Sequence, residues 1–228
     1  MSKDDVLSVI PDARVRTTLA RLHALADGRN SHLAAKFAPY LPRLLMKKSI
    51  PWQKLEPQMD DEFIAIGRQQ GVYCYMLARA LGARHVVEFG TSFGISTIYL
   101  ACAVRDNGGG IVIGTERVVT KAAKAREHLD EAGLLDLVDI RGGDAPESLT
   151  DLPQTVDFLL NDGFSRFALP VLQHVAPHMR RGAVVVSDNV AIFPADHADY
   201  VEWVRNPANG FLSQRIALDR GTEFSVRV

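Results

Sequence analysis

Charge imbalance, cysteine and long apolar runs are all scarce in this chain, and each scarcity excludes something. Lysine and arginine total 26 against 27 aspartates and glutamates, a net charge of −1. A dedicated nucleic-acid binder would carry a basic surplus, so that class drops out. The two cysteines, Cys74 and Cys102, make neither a disulfide framework nor a zinc ligand set, and they suit a reducing cytoplasm. The longest stretch without a charged residue, Phe89–Val104, has 16 residues interrupted by Gly, Ser and Thr. That is short of the roughly 20 apolar residues a bilayer span needs, so no membrane partner is expected. Lys3, Asp4 and Asp5 stand where a secretory signal would begin its apolar run, and a cytoplasmic location follows as the expectation. With 47% hydrophobic and 23% charged residues in a chain of 228, disorder and fibrous structure are excluded and a single domain is expected.

What is present is organised unevenly. Residues 1–58 hold ten basic and five acidic side chains, and they read as two or three helices around Ala13–Ala26 and Ser31–Leu45, broken at Gly28, Pro42 and Pro51. A longer helix is predicted from about Asp60 to Leu81. Its acids Asp60, Asp61 and Glu62 suit the positive end of the helix dipole, and Gly82 is placed to end it. From His85 the texture alternates. Short apolar runs at Val86–Phe89, Ile111–Gly114, Leu137–Ile140, Val156–Leu160 and Ala183–Ser187 read as buried parallel strands. Helical segments near Ser96–Val104, Val118–Ala132, Ser165–Val175 and Ala195–Val204 separate them, and two strand-like runs, Leu212–Leu218 and Glu223–Val228, close the chain around an Arg220-Gly221 turn. Such alternation implies an α/β fold with a doubly wound, mostly parallel sheet, here one domain of a 1–58 helical extension on a 59–228 core.

Ligands of such sheets bind beyond the carboxyl ends of the strands. The first predicted strand runs through Glu88 into Gly90-Thr91-Ser92-Phe93-Gly94. Two glycines let the backbone turn sharply against a ligand, but Gly-x-x-x-Gly is not the dinucleotide fingerprint Gly-x-Gly-x-x-Gly, which demotes a dehydrogenase. Glu116 ends the next strand, 22 residues after Gly94, where an acid can hold both ribose hydroxyls of a nucleoside. Asp144 and Ala145 follow the third strand, where an adenine edge would lie. Separately, Asp162 follows the fourth strand and Asp188-Asn189 the fifth. These hard oxygen donors suit Mg²⁺, Mn²⁺ or Ca²⁺, magnesium first among them, although Asp and Asn are also common strand-end residues.

The set Glu88-x-Gly90-x-x-x-Gly94, Glu116, Asp144, Asp162 and Asp188-Asn189 resembles the class I S-adenosylmethionine-dependent O-methyltransferases of the cation-dependent catechol and caffeoyl-coenzyme A type, over about residues 59–228. The resemblance implies a Rossmann-like methyltransferase sheet with antiparallel C-terminal strands. It implies S-adenosylmethionine and a divalent cation as cofactors and a small-molecule hydroxyl, aromatic or vicinally oxygenated, as acceptor. Glu88, Gly90 and Ser96 would line the methionine end of the cofactor, Glu116 the ribose, and Asp144 with Ala145 the adenine. Asp162, Asp188 and Asn189 would hold the cation. A homodimer is among the assemblies it allows.

One departure matters. Where that family carries a lysine three residues after the first metal aspartate, this chain has Ser165, and Ala168 stands where an aromatic residue is expected. Arg166 is adjacent but does not deprotonate at working pH. Deprotonation of the acceptor then falls to the cation at Asp162, the preferred route, to His197 on the loop after Asp188-Asn189, or to bulk solvent from an already acidic phenol. Metal-independent methyl transfer, and a non-catalytic S-adenosylmethionine-binding module, are the alternatives. Trp52 with Lys47-Lys48 could close over an anionic acceptor, and Phe164, Phe193 and Trp203 could wall an aromatic one. His174 and His178, with Pro177 between them, read as surface histidines.

Overall fold

The computed structural model describes residues 5–228, so Lys3 and Asp4 lie outside the described residues. Helix α1 (Ala13–Phe37) opens the fold. The Asp12 carboxylate caps it by accepting from the backbone N–H groups of Arg14 at 2.7 Å and Val15 at 3.1 Å. Its apolar stripe of Val15, Leu19, Leu22 and Ala26 is buried at helical spacing. The helix runs straight through Gly28, where a break is expected from sequence. Gly28 is solvent-facing with open space around its Cα, and one exposed glycine costs a helix only about 1 kcal/mol. Short helices α2 (Leu41–Leu45) and α3 (Trp52–Leu55) follow.

The predicted Asp60–Leu81 helix starts later than expected: α4 spans Arg68–Ala80, with Gly82 in a left-handed conformation just past its end. Residues 60–67 form a turn and then an irregular strap instead. Its acids engage distant partners, Asp60 with Arg117 and Glu62 with Lys36, and Phe63 stacks flat on Phe93, centroids 4.3 Å apart.

The rest alternates as read. The strands are β1 (His85–Phe89), β2 (Ile111–Glu116), β3 (Val138–Gly142), β4 (Val156–Asn161), β5 (Met179–Ser187), β6 (Phe211–Ile216) and β7 (Thr222–Arg227). Between them lie α5 (Ile95–Asp106), α6 (Val119–Ala132), α7 (Ala145–Ser148), α8 (Ala168–Val175) and α9 (Ala198–Arg205). The sheet order is β3-β2-β1-β4-β5-β7-β6; the first five strands are parallel, and β7 is antiparallel to both neighbours. This is the Rossmann-like sheet expected. Successive strand residues feed opposite faces. Val86, Val112, Phe158 and Val184 pack under α4, α5 and α6, while Val87, Ile113, Leu159 and Val185 pack under α8 and α9. A third, smaller apolar cluster of Ile50, Leu55 and Met59 with Phe37, Trp52, Phe164 and Phe193 joins the N-terminal segment to the core. Among the described residues, no helix is long and apolar enough to cross a membrane.

Candidate active site

The chain winds outward in opposite directions from β1 and β4, so their carboxyl ends open a crevice where ligands bind in such sheets. A cavity of about 430 Å³ occupies it. The backbone turn there depends on Gly90, at φ +98°. An added Cβ would lie 2.7 Å from the Asp162 carbonyl oxygen, so both conformation and space demand glycine.

On one side of the cavity, Gly90, Glu116, Asp144 and Ala145 all line the wall. The Glu116 carboxylate is fixed by the backbone N–H groups of Ser92 at 2.8 Å and Val118 at 2.7 Å. Glu88 is fully buried and is not part of the wall. It accepts from the hydroxyls of Thr91 at 2.8 Å and Thr97 at 2.5 Å, and its Oε1 has no partner. Burial raises its proton affinity, and the hydroxyls of Ser96, Thr97 and Thr91 lower it. Ser96 is buried beside Glu88 rather than at the cavity wall. Glu88 and Ser96 therefore stand behind the glycine turn and brace it.

On the other side, Asp162, Asn189 and His197 line the cavity. The Asn189 amide donates to Asp162 Oδ1 at 3.2 Å. Asn189 itself has φ +63°, a strained backbone of the kind that clusters at functional sites. Asp188 is buried just behind, its Oδ1 without a hydrogen-bond partner. Burial raises the proton affinity of both carboxyls, and the charge of Asp188 raises that of Asp162 further. Two crowded carboxylates, one with an unpartnered oxygen, and an amide oxygen form a hard donor set that a divalent cation fits. Among the described residues, no three His, Cys, Asp or Glu side chains converge as a metal cluster, so the set is two carboxylates and an amide.

His197 is 3% exposed, and burial lowers its proton affinity. Its Nδ1 lies 3.0 Å from the Phe193 carbonyl oxygen. A carbonyl only accepts, so Nδ1 carries the hydrogen and Nε2 keeps its lone pair. Ser165 also lines the cavity, buried, with its hydroxyl unpartnered.

The N-terminal segment supplies the roof. Asn30, Leu33, Phe37, Leu44 and Trp52 line the cavity together with Phe164 and Phe193, and the Trp52 and Phe193 rings meet edge-on with centroids 5.0 Å apart. Trp203 is not among them, since it packs on Phe211 at the far sheet edge. Lys47 and Lys48 are exposed and off the wall. His174 is tied to the Leu149 carbonyl, 2.6 Å from its Nε2. Lys121 and Arg220, both lining the cavity, are not found by motif. Lys121 sits on the first turn of α6, five positions past Glu116, a spacing that could have flagged it.

A crevice of this topology, with a glycine turn and a fixed carboxylate at the next strand end, is where doubly wound domains take their ligands. Residues 87–190 match the family described as a methyltransferase domain. The chain is 37% identical over 128 residues to a catechol O-methyltransferase of Mycobacterium tuberculosis, covering 56% of this chain and 57% of that protein. It is 32% identical over 131 residues to a catechol O-methyltransferase of Niastella koreensis, covering 56% and 58%. The matched stretches thus span somewhat over half the length of these curated relatives. The crystal structure of an O-methyltransferase from Bacillus cereus superposes with a TM-score of 0.67 at 21% identity, over 93% of this chain and 91% of that one, and shows the same fold. These likenesses bear out the resemblance to class I O-methyltransferases read from the residues.

Proposed function

We propose that this chain transfers the methyl group of S-adenosylmethionine to a hydroxyl oxygen of a small aromatic or vicinally oxygenated molecule. The observation that carries the reading is a single cavity with two unlike walls. One wall carries the glycine turn, Glu116, Asp144 and Ala145, suited to a nucleoside. The other carries Asp162, Asn189 and His197 under the rings of Trp52, Phe164 and Phe193, suited to a flat hydroxylated acceptor. The curated relatives are named as catechol O-methyltransferases, and the Bacillus cereus structure holds S-adenosylhomocysteine by its description, which supports the same cofactor.

In such a transfer the acceptor oxygen attacks the methyl carbon in line. An O–C bond forms, the C–S bond breaks, and a neutral thioether leaves. The aromatic walls hold the acceptor and exclude water, and the positioning of donor and acceptor carries much of the barrier reduction. The lone pair on His197 Nε2 can take the hydroxyl proton, the role left open by Ser165. Asp162, Asp188 and Asn189 would hold a divalent cation, which when bound supplies Lewis acidity that lowers the hydroxyl pKa. A second reading, transfer without metal, is favoured by the Asn189 amide already donating to Asp162 and by the positive charge of Arg220, which lowers the proton affinity of Asp162 and Asp188.

The test is a pH–rate profile on a catechol acceptor, with and without chelator. Under the His197 route, His197→Ala costs on the order of 10²–10⁴-fold and removes the acid limb. That limb lies below the ordinary imidazole value of about 6.5, because burial depresses this group. Full, chelator-resistant turnover in Asp188→Ala would assign the metal-independent reading. Absence of methyl transfer to any hydroxylated acceptor, despite cofactor binding, would leave a binding module.

A further inference from the structure

Lys47 and Lys48 take no part in the cavity wall, and the segment that carries them has an unusual charge pattern. Between Asp27 and Glu56 the chain holds six lysines and arginines and no acid. Lys36 pairs with Glu62, and Arg29 donates to the Asp61 carbonyl. The guanidinium of Arg43 donates to the Ser49 carbonyl at 2.7 Å. Among the described residues, no carboxylate pairs with Arg43, Lys47, Lys48 or Lys54. One acid from the core, Asp196, does reach the segment, but the Ser49 hydroxyl and the Ile50 N–H hold it.

Large apolar side chains stand out from the same segment. Leu41 is 54% exposed, Leu45 76% and Met46 57%. Leu41 and Leu45 are four apart on α2 and share a face. Lys47 follows at φ +52°, a left-handed backbone where glycine is favoured, and the Lys48 N–H closes the turn on the Arg43 carbonyl at 2.8 Å. An exposed apolar face flanked by cations suits an anionic lipid surface, with the apolar side chains in the headgroup boundary and the cations on the phosphates. A second copy of the chain fits this face less well, because pairing it with itself would oppose cations with no acid between them. Leu44 of the same helix lines the cavity. We propose that α2 and the Met46–Lys48 turn dock the protein on an anionic bilayer surface, which sets the roof of the cavity against the lipid. Docking of this kind is surface contact, which the lack of a spanning run leaves open, and it is independent of the methyl-transfer reading.

The experiment is vesicle co-sedimentation of the full chain. One set of vesicles is phosphatidylcholine alone, and the other carries about one third phosphatidylglycerol. Wild type is expected to partition at least about tenfold more strongly onto the anionic set and to be released at high salt. Lys47→Gln with Lys48→Gln should weaken that partitioning about 10–30-fold, at roughly fivefold per cation near the surface. Leu41→Ser with Leu45→Ser should weaken it about tenfold or more at unchanged charge. Arg181→Gln with Arg215→Gln removes the same charge from β5 and β6 and should leave partitioning within about twofold. All six side chains are exposed, so the variants should keep the thermal midpoint of wild type. Wild type that stays in solution with both vesicle sets overturns the proposal, as does equal weakening by the Arg181 and Arg215 pair. Binding that follows the lysines and ignores the leucines would mark a site for a soluble anion. A dimer that dissolves in the leucine variant would mark an interface between copies. Either result overturns it too.

Discussion

The N-terminal roof, residues 5–66, and the sheet core, residues 85–228, are held by different forces. The core is two apolar layers on a sheet, with Phe158, Leu159, Val185 and Val186 shielded almost completely from solvent. The roof joins it through Leu7 and Ile10, one helix stripe, Ile66 and a small aromatic cluster, and also through polar latches. Arg14 donates to the last carbonyls of α6, Glu131 at 2.5 Å and Asp130 at 2.8 Å. Arg105 reaches back to Asp12 at 2.8 Å, and Arg166 to the buried Glu56 at 2.6 Å. Lys36 to Glu62 at 2.7 Å, Arg117 to Asp60 and Lys121 to Met59 tie the strap down. Apolar layers carry no charge for salt to screen or pH to titrate, whereas the latches respond to both. The core half of the cavity is thus held mainly by apolar packing, and the roof half depends more on polar contacts.

The largest expected effect separates the two by truncating one ring in each. Phe158→Ala should lose about 3–5 kcal/mol in urea unfolding, as large-to-small changes in a packed core do. Phe37→Ala, half-buried in the roof, should lose under half of that, with cofactor affinity kept and acceptor kcat/KM lowered. Equal losses would erase the distinction.

A smaller effect comes from pH. His23 of α1 is buried with its Nε2 2.9 Å from the Tyr99 hydroxyl, and burial pulls its pKa down to about 4. The unfolded chain takes up this proton near 6.5 and the folded chain does not, so stability is full above 6.5 and falls as pH drops toward 4. The loss is about 3 kcal/mol at roughly 1.4 kcal/mol per pH unit. Thermal unfolding across that range should slope in wild type and flatten in His23→Gln. An unchanged slope would place the sensitivity elsewhere.

The smallest belongs to the exposed latches. Arg21 pairs with Glu131, both side chains 43% exposed. Arg21→Met should cost about 0–1 kcal/mol, and the difference should vanish near 1 M salt, where the screening length is about 3 Å. A loss that persists in salt would show packing rather than charge at that contact.

The parallel strands could be read from sequence because strands buried on both faces write themselves as continuous apolar runs. Gly90, Glu116, Asp144 and Ala145 were legible as wall residues because strand order alone sends those turns to one crevice. The roof was harder. The predicted Asp60–Leu81 helix fails because Asp60 and Glu62 answer Arg117 and Lys36, partners invisible to any local rule. Gly28 was read as a break because propensity is weak against a buried stripe on the same helix.

Local patterning therefore determined the α/β class, the sheet and the order in which the glycine turn, the Glu116 carboxylate and the paired aspartates arrive. Depth, tautomer and partnership were decided by tertiary structure. Only the folded chain sets Glu88 and Ser96 behind the turn, leaves an oxygen of Asp188 unpartnered, turns the free nitrogen of His197 away from Phe193 and buries Lys121 at the cavity wall. Each of these depends on which distant backbone or charge comes to lie within a few ångströms, and residue spacing along the chain does not encode that distance.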